Sequence, residues 1–185
     1  MELKKEIFRE YDIRGIYNEE MNDETAYLIG KAFGTKLREL NKKETVVAYD
    51  NRLSSPSLEE NLVKGLLETG INVKRMGLAT TPMCYFAANY YGCNASMMIT
   101  ASHNTKEYNG FKFSYNGIHN AYGASVKEIY DIIVKGEFAQ GKGKIEEVDI
   151  TRPYIDLILD KIELGNRPIK VVYDCGNGTS SIIAD

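Results

Sequence analysis

The first half of the chain alternates between short apolar runs and longer segments in which apolar positions recur every three or four residues. One such segment covers residues 25–40, where apolar spacings of four, four and three positions predict a helix with one buried face. The apolar residues are Ile29, Phe33, Leu37 and Leu40. Either Asp23 or Thr25 is expected to cap the start of this helix.

Strands are predicted at residues 45–49, 71–76 and 95–99, of which the last is a short apolar segment expected to be buried. Between them, Ser54-Ser55-Pro56 supplies a helix cap and a first-turn proline, and Thr81-Pro82 opens a further helix. Because parallel strands are joined through helical crossovers, this order predicts a mostly parallel sheet with helices on its faces.

The later part of the chain predicts a domain boundary. Residues 111–115 alternate like a strand, and residues 124–134 have the pattern of a helix. The glycine-rich and polar stretch at residues 137–144 then indicates the end of a first domain. We therefore predict one domain at residues 1–145.

Residues 146–185 are predicted to hold a connecting helix, at about 152–164, and the start of a second α/β domain. Its first strand is expected near Ile169, followed by a turn at residues 176–178 and a truncated helix. The predicted fold class is thus α/β, with a mixed, mostly parallel sheet sandwiched by helices and part of a second domain.

Composition favours a soluble globular protein, since 43% of the residues are hydrophobic and 26% are charged. A net charge of -3 argues against a nucleic-acid or anionic-membrane partner, and no apolar run approaches the roughly 20 residues that span a bilayer. The three cysteines are widely spaced, which fits reduced thiols better than disulfides or a metal cluster. The cytoplasm is therefore the expected location.

The candidate chemistry is concentrated where the third predicted strand ends. Thr-Ala-Ser-His-Asn occupies residues 100–104, and Tyr-Asn-Gly-Phe-Lys follows at 108–112. Ser102 would lie at the exit of the strand, and ligands bind at the carboxyl ends of strands in open α/β sheets. A hydroxyl held there can attack phosphorus and carry a phosphate. This arrangement favours phosphate chemistry.

Both segments resemble the active-site loop of the α-D-phosphohexomutases, and in particular the bacterial phosphomannomutase/phosphoglucomutase branch. Three further blocks follow the order of that family. They are Phe-Arg-Glu-Tyr-Asp-Ile-Arg-Gly at residues 8–15, Asp-Asn-Arg-Leu-Ser-Ser at 50–55, and Thr-Thr-Pro at 80–82. Four ordered blocks are a far stronger signal than an isolated Ser-His-Asn.

The resemblance implies an isomerase that interconverts hexose 1-phosphate and hexose 6-phosphate, of mannose or glucose, through a bisphosphorylated sugar. Enzymes of this family have four domains, and this chain covers the first and enters the second. It has no Asp-Gly-Asp-Gly-Asp segment, which supplies the Mg²⁺ carboxylates in the family. The implied partners are a hexose phosphate, hexose 1,6-bisphosphate and the remaining domains, and the chain alone is expected to be inactive.

By the same resemblance, Ser102 is expected to carry the phosphate, one oxygen of which would bind Mg²⁺. His103 could transfer a proton or contact the sugar phosphate, or it could be an ordinary loop histidine. Lys112 matches a lysine that stabilises phosphate or transfers a proton. In its predicted strand, Lys112 faces opposite to Phe111 and Phe113.

Two residues of the first block are also implied to lie in the active site. Arg14 offers a planar fork suited to phosphate oxygens, with a surface ion pair to Asp12 or to a glutamate as the alternative role. Tyr11 matches a substrate-binding position, with packing in the core as its alternative. The block at residues 50–55 is interpreted as structural, with its serines capping a helix and Arg52 bracing loops near the site.

The chain departs from the family at Thr105, where a proline is usual, and this should loosen the loop slightly. Asn104 and Asn109 are expected to hold its shape by hydrogen bonds to the backbone. The choice between mannose and glucose is not predicted, because the sugar-selecting loop of the family is absent.

Two other functions are weighed against a mutase. A serine hydrolase could use Ser102 and His103, but neighbouring residues on an extended chain point apart, and the chain has no Gly-x-Ser-x-Gly elbow. A non-catalytic phosphosugar-binding fragment is the second alternative.

Overall fold

The computed structural model describes residues 3–117 and 119–184, which form five α-helices and a seven-stranded sheet. The strands are β1 (Ile13–Ile16), β2 (Glu44–Tyr49), β3 (Asn72–Leu78), β4 (Ser96–Ile99), β5 (Tyr108–Asn116), β6 (His119–Asn120) and β7 (Ile145–Glu147). The helices are α1 (Asp23–Glu39), α2 (Ser55–Glu68), α3 (Thr81–Tyr90), α4 (Ala124–Lys135) and α5 (Thr151–Lys161). None of the helices in these described ranges is long and apolar enough to cross a membrane.

The sheet is mixed, and one strand runs against the others. Its hydrogen-bonded order is β1-β5-β4-β2-β3-β7, with β6 also pairing with β5. β2 is parallel to β3 and β4, and β7 is parallel to β3. β5 is antiparallel to β1, β4 and β6, so all strands except β5 share one direction. The predicted mixed, mostly parallel sheet is confirmed.

Helices cover both faces of the sheet. On one face, Phe33 of α1, Leu62 of α2 and Ile129 of α4 are buried in a large core. On the other face, α3 contributes to a smaller core that also includes Ile150, the residue that precedes α5. Alternation along the central strand β2 explains the division, because Val47 lies in the first core while Val46 belongs to the second.

The close contact between α1 and α2 depends on glycines. A Cβ at Gly30 would lie 2.2 Å from the carbonyl oxygen of Leu62, and one at Gly65 would lie 2.3 Å from that of Tyr27. Because both neighbours are backbone atoms, neither can rotate away. The two helices can therefore approach this closely only without side chains at these points.

The start of α1 differs from the prediction in its cap. Asn22 is the N-cap, and its side chain accepts a hydrogen bond from the backbone N–H of Thr25 at 3.0 Å. The Thr25 hydroxyl in turn accepts from the backbone N–H of Asn22 at 3.2 Å, which completes a reciprocal capping box. Asp23, one of the two predicted caps, is instead the first residue of the helix.

Residues 145–184 pack against the rest of the described chain only in part. β7 adds to the edge of the sheet beside β3, and Tyr154 of α5 lies 5.6 Å from Phe86 between ring centroids. Residues 162–178 have no regular helix or strand, so the strand predicted near Ile169 is wrong. Ile169 is 70% exposed, because no neighbouring strand is present among the described residues to pair with it. The helix predicted after the turn is only a short 3-10 helix, Thr179–Ile183.

Candidate active site

The sequence blocks meet at one edge of the sheet. β4, β2 and β3 are parallel, and the segments that follow them begin at Thr100, Asp50 and Ala79. These segments line a pocket of about 640 Å³. Residues 176–180 from the C-terminal region form another part of its lining. The pocket thus lies at the carboxyl ends of the parallel strands, where the sequence placed the site.

Ser102 is exposed on this pocket in an unusual backbone conformation. Its φ is 55°, in the left-handed region that non-glycine residues rarely adopt. Its backbone N–H donates to the hydroxyl of Thr100 at 3.0 Å. Strain of this kind is found at functional sites, where surrounding contacts hold the residue in place.

The Ser102 hydroxyl lies 3.0 Å from Nδ1 of His103, within hydrogen-bond distance. The expectation that these neighbours point apart is wrong, because Ser102 is not in an extended conformation. The geometrical argument against a serine hydrolase therefore fails. His103 Nδ1 can therefore accept the proton of the Ser102 hydroxyl, or return it, directly.

Arg52 braces the loop after Ser102, as predicted. Its Nη1 donates to the carbonyl oxygens of Thr105 at 2.6 Å and Tyr108 at 3.0 Å. Its Nη2 donates to those of Asn104 at 2.8 Å and Ser102 at 3.3 Å. The guanidinium therefore ties the beginning of the loop to its end.

Ser54 is the N-cap residue of α2 and Ser55 is the first residue of this helix. The predicted capping is not formed, because the Ser54 side chain makes no cap hydrogen bond. Instead, Asn109 donates through Nδ2 to Ser54 Oγ at 2.8 Å and to Ser55 Oγ at 3.0 Å. The Ser55 hydroxyl in turn donates to Asp50 Oδ1 at 2.8 Å. The two hydroxyls thus link the strand after the loop to the segment that carries Arg52.

The predicted loop-holding role is confirmed for Asn109 and takes another form for Asn104. Asn109 Oδ1 accepts from the backbone N–H of Gly110 at 2.8 Å. Asn104 uses its side-chain oxygen to accept from Arg14 Nη1 at 2.5 Å, so its partner is a side chain rather than the backbone. Gly110 is required here because a Cβ would lie 2.2 Å from the carbonyl oxygen of Ile13.

Arg14 and Lys112 share one carboxylate. Arg14 Nη2 forms an ion pair with Asp12 Oδ2, and Lys112 Nζ lies 3.8 Å from the same oxygen. Phe111 and Phe113 are buried in the large core, which confirms that Lys112 faces the other side of the sheet. The ion pair with Asp12, given above as the alternative role of Arg14, is therefore present alongside its contact to the loop.

Tyr11 does not join these contacts among the described residues. It is 70% exposed, so packing in the core is excluded. Thus the structure brings Ser102 and His103 into direct contact, and connects Arg14 to their loop through Asn104.

Sequence reasoning missed two contributors to the pocket. Lys106 lines it and adds a positive charge beside the candidate phosphate carrier, but a lysine in a polar loop has no distinguishing pattern. Asn51 was also missed, and its Nδ2 donates to the carbonyl oxygen of Asn177 at 2.5 Å. Its Oδ1 accepts from the Thr179 hydroxyl at 3.0 Å. The sequence predicted the turn at residues 176–178, but no local pattern indicated that Asn51 contacts it.

No group of three or more His, Cys, Asp or Glu residues within 3–117 and 119–184 could hold a metal ion. In the same ranges, no carboxylate lies within hydrogen-bond distance of His103, whose partner is Ser102. A complete metal centre or Ser-His-Asp triad is therefore not formed by these residues.

Comparison with protein families gives a match over most of the chain. Residues 5–140 match the family described as phosphoglucomutase/phosphomannomutase, alpha/beta/alpha domain I. The phosphomannomutase/phosphoglucomutase of Pseudomonas aeruginosa strain PAO1 is 39% identical over 182 residues, covering 98% of this chain and 39% of the relative. The phosphoglucomutase of Neisseria meningitidis serogroup B is 40% identical over 184 residues, covering 98% of this chain and 40% of the relative.

Solved structures give the same result for the fold. A phosphoglucomutase/phosphomannomutase family protein from Burkholderia thailandensis has a TM-score of 0.92 and 36% identity, covering 98% of this chain and 41% of that one. A putative phosphomannomutase from Thermus thermophilus has a TM-score of 0.75 and 25% identity, covering 84% and 36% respectively. The chain thus spans about two fifths of the length of the curated relatives cited above.

Proposed function

The chain belongs to the phosphoglucomutase/phosphomannomutase family, and we propose that the protein containing it is a phosphohexomutase. It interconverts hexose 1-phosphate and hexose 6-phosphate, with mannose or glucose as the sugar. This chain carries the N-terminal part of the active site. The supporting observation is the Ser102 hydroxyl. It is exposed on the pocket, the backbone of Ser102 is in the left-handed region, and the hydroxyl oxygen lies 3.0 Å from His103 Nδ1.

The chemistry proposed for Ser102 is reversible phosphoryl transfer. A bond forms between Ser102 Oγ and the phosphorus of a hexose 1,6-bisphosphate, and the bond from that phosphorus to the sugar oxygen breaks. The serine proton passes to His103 Nδ1, and the departing sugar oxygen takes up a proton. The phosphoserine so formed donates its phosphoryl group to the free hydroxyl of a hexose monophosphate: the bond from Ser102 Oγ to phosphorus breaks, the bond from phosphorus to the sugar oxygen forms, and the proton of that hydroxyl returns to Ser102 Oγ. The resulting bisphosphate reorients, and Ser102 then takes the phosphate from the other position, so that the net reaction converts one hexose monophosphate into the other.

Arg14 and Lys112 are assigned to the same site as catalytic and substrate-binding cations. Both contact Asp12, and phosphate oxygens arriving near Asn104 would meet the Arg14 fork. Phosphoryl transfer requires groups that stabilise charge on the equatorial oxygens, and these two side chains supply it. Tyr11, which is exposed and lies in the same sequence block as Arg14, residues 8–15, is assigned to substrate binding.

Mg²⁺ is proposed as the cofactor, with a phosphate oxygen on Ser102 as the one ligand that this chain provides. The described residues lack the carboxylate cluster that a full site needs, so the other ligands are assigned to residues outside these 185. When bound, the ion neutralises charge on the transferring phosphate. The 185-residue chain alone is therefore expected not to interconvert sugar phosphates.

The proposed partners are a hexose phosphate, hexose 1,6-bisphosphate and the remaining domains of the longer protein, in the cytoplasm. We assign residues 1–145 to the first domain and residues 146–185 to a connecting helix and the start of the second. The exposed apolar residues of the C-terminal region support this division, because they need a partner surface to be buried. They include Leu164, Val171, Val172 and Tyr173.

The assignment is tested by offering the full-length protein glucose 1,6-bisphosphate labelled with ³²P and following label on the protein. We expect one label per chain, on Ser102 by peptide mass analysis, and none in Ser102→Ala. Ser125→Ala, in α4, is the matched control and should be labelled like the wild type. Label that persists in Ser102→Ala would contradict the assignment.

A serine hydrolase is the second candidate, because Ser102 and His103 are within hydrogen-bond distance. Against it, the described chain offers no carboxylate to orient His103, and the sequence has no nucleophile elbow. Hydrolysis of p-nitrophenyl acetate distinguishes the two functions. Ester turnover that requires Ser102, without phosphate labelling, would favour the hydrolase. Absence of both activities would favour a non-catalytic phosphosugar-binding fragment.

A further inference from the structure

We propose that Arg52 is a positioning residue for phosphoryl transfer at Ser102, and that it does not bind the phosphate itself. This inference rests on the proposed mutase function. An arginine lining a pocket beside a phosphate carrier would ordinarily be assigned to the phosphate, because its fork suits phosphate oxygens. The contacts of Arg52 point to a different role.

The guanidinium has no N–H left for a ligand. Arginine carries five N–H donors. In Arg52, four contacts go to main-chain carbonyl oxygens of the loop, at Ser102, Asn104, Thr105 and Tyr108. The fifth is from Nε to Asp50 Oδ2 at 3.1 Å. Any phosphate oxygen bound by Arg52 would therefore replace a contact that holds the loop.

The carboxylate behind Arg52 is itself fixed. Asp50 Oδ1 accepts from the backbone N–H of Arg52 at 3.2 Å and from the Ser55 hydroxyl at 2.8 Å. The side chains of Asp50 and Arg52 are each only 12% exposed, so solvent screens their ion pair weakly. Ser55 belongs to the first turn of α2, which anchors this pair to a rigid element.

These contacts explain how Ser102 keeps its strained conformation. A serine at φ 55° needs support from both sides, because this region is unfavourable for a residue with a Cβ. The backbone N–H of Ser102 donates to the Thr100 hydroxyl, and the carbonyl oxygen of Ser102 accepts from Arg52 Nη2. Without Arg52, the residue is expected to relax toward ordinary backbone angles and carry its hydroxyl away from His103.

The experiment compares Arg52→Met and Arg52→Lys in the full-length protein, with Arg152→Met as the matched control. Arg152 is 80% exposed and pairs with Asp156 on α5. The first readout is the rate of ³²P transfer from glucose 1,6-bisphosphate to Ser102, measured at a series of bisphosphate concentrations. Loss of the loop contacts should lower the maximal rate by at least about tenfold in both variants, because a lysine cannot reproduce the fork.

The dependence on bisphosphate concentration separates positioning from phosphate binding. For a positioning residue, the half-saturating concentration should stay within about twofold of the wild type. A phosphate-binding arginine would show the opposite result, with a raised half-saturating concentration and substantial rescue by Arg52→Lys. That result would overturn the proposal.

Limited trypsin digestion gives a readout that does not depend on catalysis. Lys106 lies in the loop between two of the carbonyl groups that Arg52 holds. Cleavage after Lys106 should rise about tenfold in Arg52→Met, because proteolysis follows the population of the opened loop, while cleavage elsewhere stays unchanged. A uniform rise at all sites, with a lowered Tm, would indicate general destabilisation and count against the proposal.

The proposed mutase function and the positioning role of Arg52 would be contradicted by different results. If the wild type takes no phosphate on Ser102, the proposed function fails and this inference fails with it. If the wild type is labelled and Arg52→Met is labelled at the same rate, only the positioning role is overturned. Should Arg52→Met not fold, Arg52→Lys carries the same comparison, since it retains the charge and most of the side-chain volume.

Discussion

Ser102 Oγ and His103 Nδ1 lie 3.0 Å apart although the two residues are adjacent in the chain. Side chains of adjacent residues normally diverge in an extended segment, so this contact depends on the left-handed backbone at Ser102. The same backbone exposes the hydroxyl to the pocket. One local feature therefore gives the serine both a proton acceptor and access to a ligand.

This relationship predicts a role for His103 in proton transfer. We expect His103→Asn in the full-length protein to lower the rate of Ser102 phosphorylation by about a hundredfold, because an amide accepts a hydrogen bond but not the proton. The rate is measured by ³²P transfer from glucose 1,6-bisphosphate. His119→Asn is the matched control, since His119 is exposed in β6. An unchanged rate in His103→Asn would exclude the proton-transfer role.

The contact between α1 and α2 predicts that Gly30→Ala destabilises the protein. The new methyl group would lie 2.2 Å from the carbonyl oxygen of Leu62, so the helices must separate. We expect a loss of about 1–3 kcal/mol in the free energy of unfolding, despite the better helix propensity of alanine. Gly165→Ala is the control, because a Cβ there meets no atom within 4 Å. Urea unfolding of both variants provides the measurement, and equal midpoints would contradict the packing argument.

Glu59 predicts a pH-dependent contribution to stability. Burial raises its pKa above the ordinary value of 4.5, although the hydrogen bond from Arg75 opposes this shift. The folded state therefore binds the proton more tightly than the unfolded state, and stability is lost as pH rises from about 4.5 through the raised pKa.

The test compares the unfolding free energy of the wild type with that of Glu59→Gln, which cannot titrate. The wild type should lose stability relative to Glu59→Gln as pH rises through that window, and the difference should be constant above it. Urea titrations at several pH values from 4 to 8 measure it. A difference that does not change with pH, or that moves in the other direction, would show that Glu59 does not have this raised pKa.

The three cysteines predict a selective reaction with alkylating reagents. All three are free thiols. Burial raises the pKa of Cys84 to about 12 and that of Cys93 to about 12, so almost no thiolate is present at pH 8. Cys175 is only partly buried.

We therefore expect iodoacetamide at pH 8 to add one group to the native 185-residue chain, at Cys175, and three after unfolding in urea. Intact mass and peptide mapping follow the adducts. Cys175→Ser is the control and should remain unmodified while folded. Rapid modification of Cys84 in the native chain would contradict the burial that the structure shows.

The sequence predicted those features that depend on neighbouring residues. The apolar spacing in α1 and the proline that begins α2 identified both helices, because a helix buries one face through residues three and four positions apart. The ordered motifs indicated the family, which the comparisons confirm. The edge strands β1 and β7 were missed, because a strand of three or four residues with few buried positions carries little periodic signal.

The sequence alone thus determined the helices, the main strands and the position of the serine in a loop at the end of β4. Only the tertiary structure decided the left-handed conformation of Ser102, the exchange of a helix cap for the Asn109 network, and the use of every Arg52 donor on the loop and Asp50. The physical reason is distance along the chain. Arg52 reaches carbonyl groups 50 to 56 residues away, and no local pattern records such a contact.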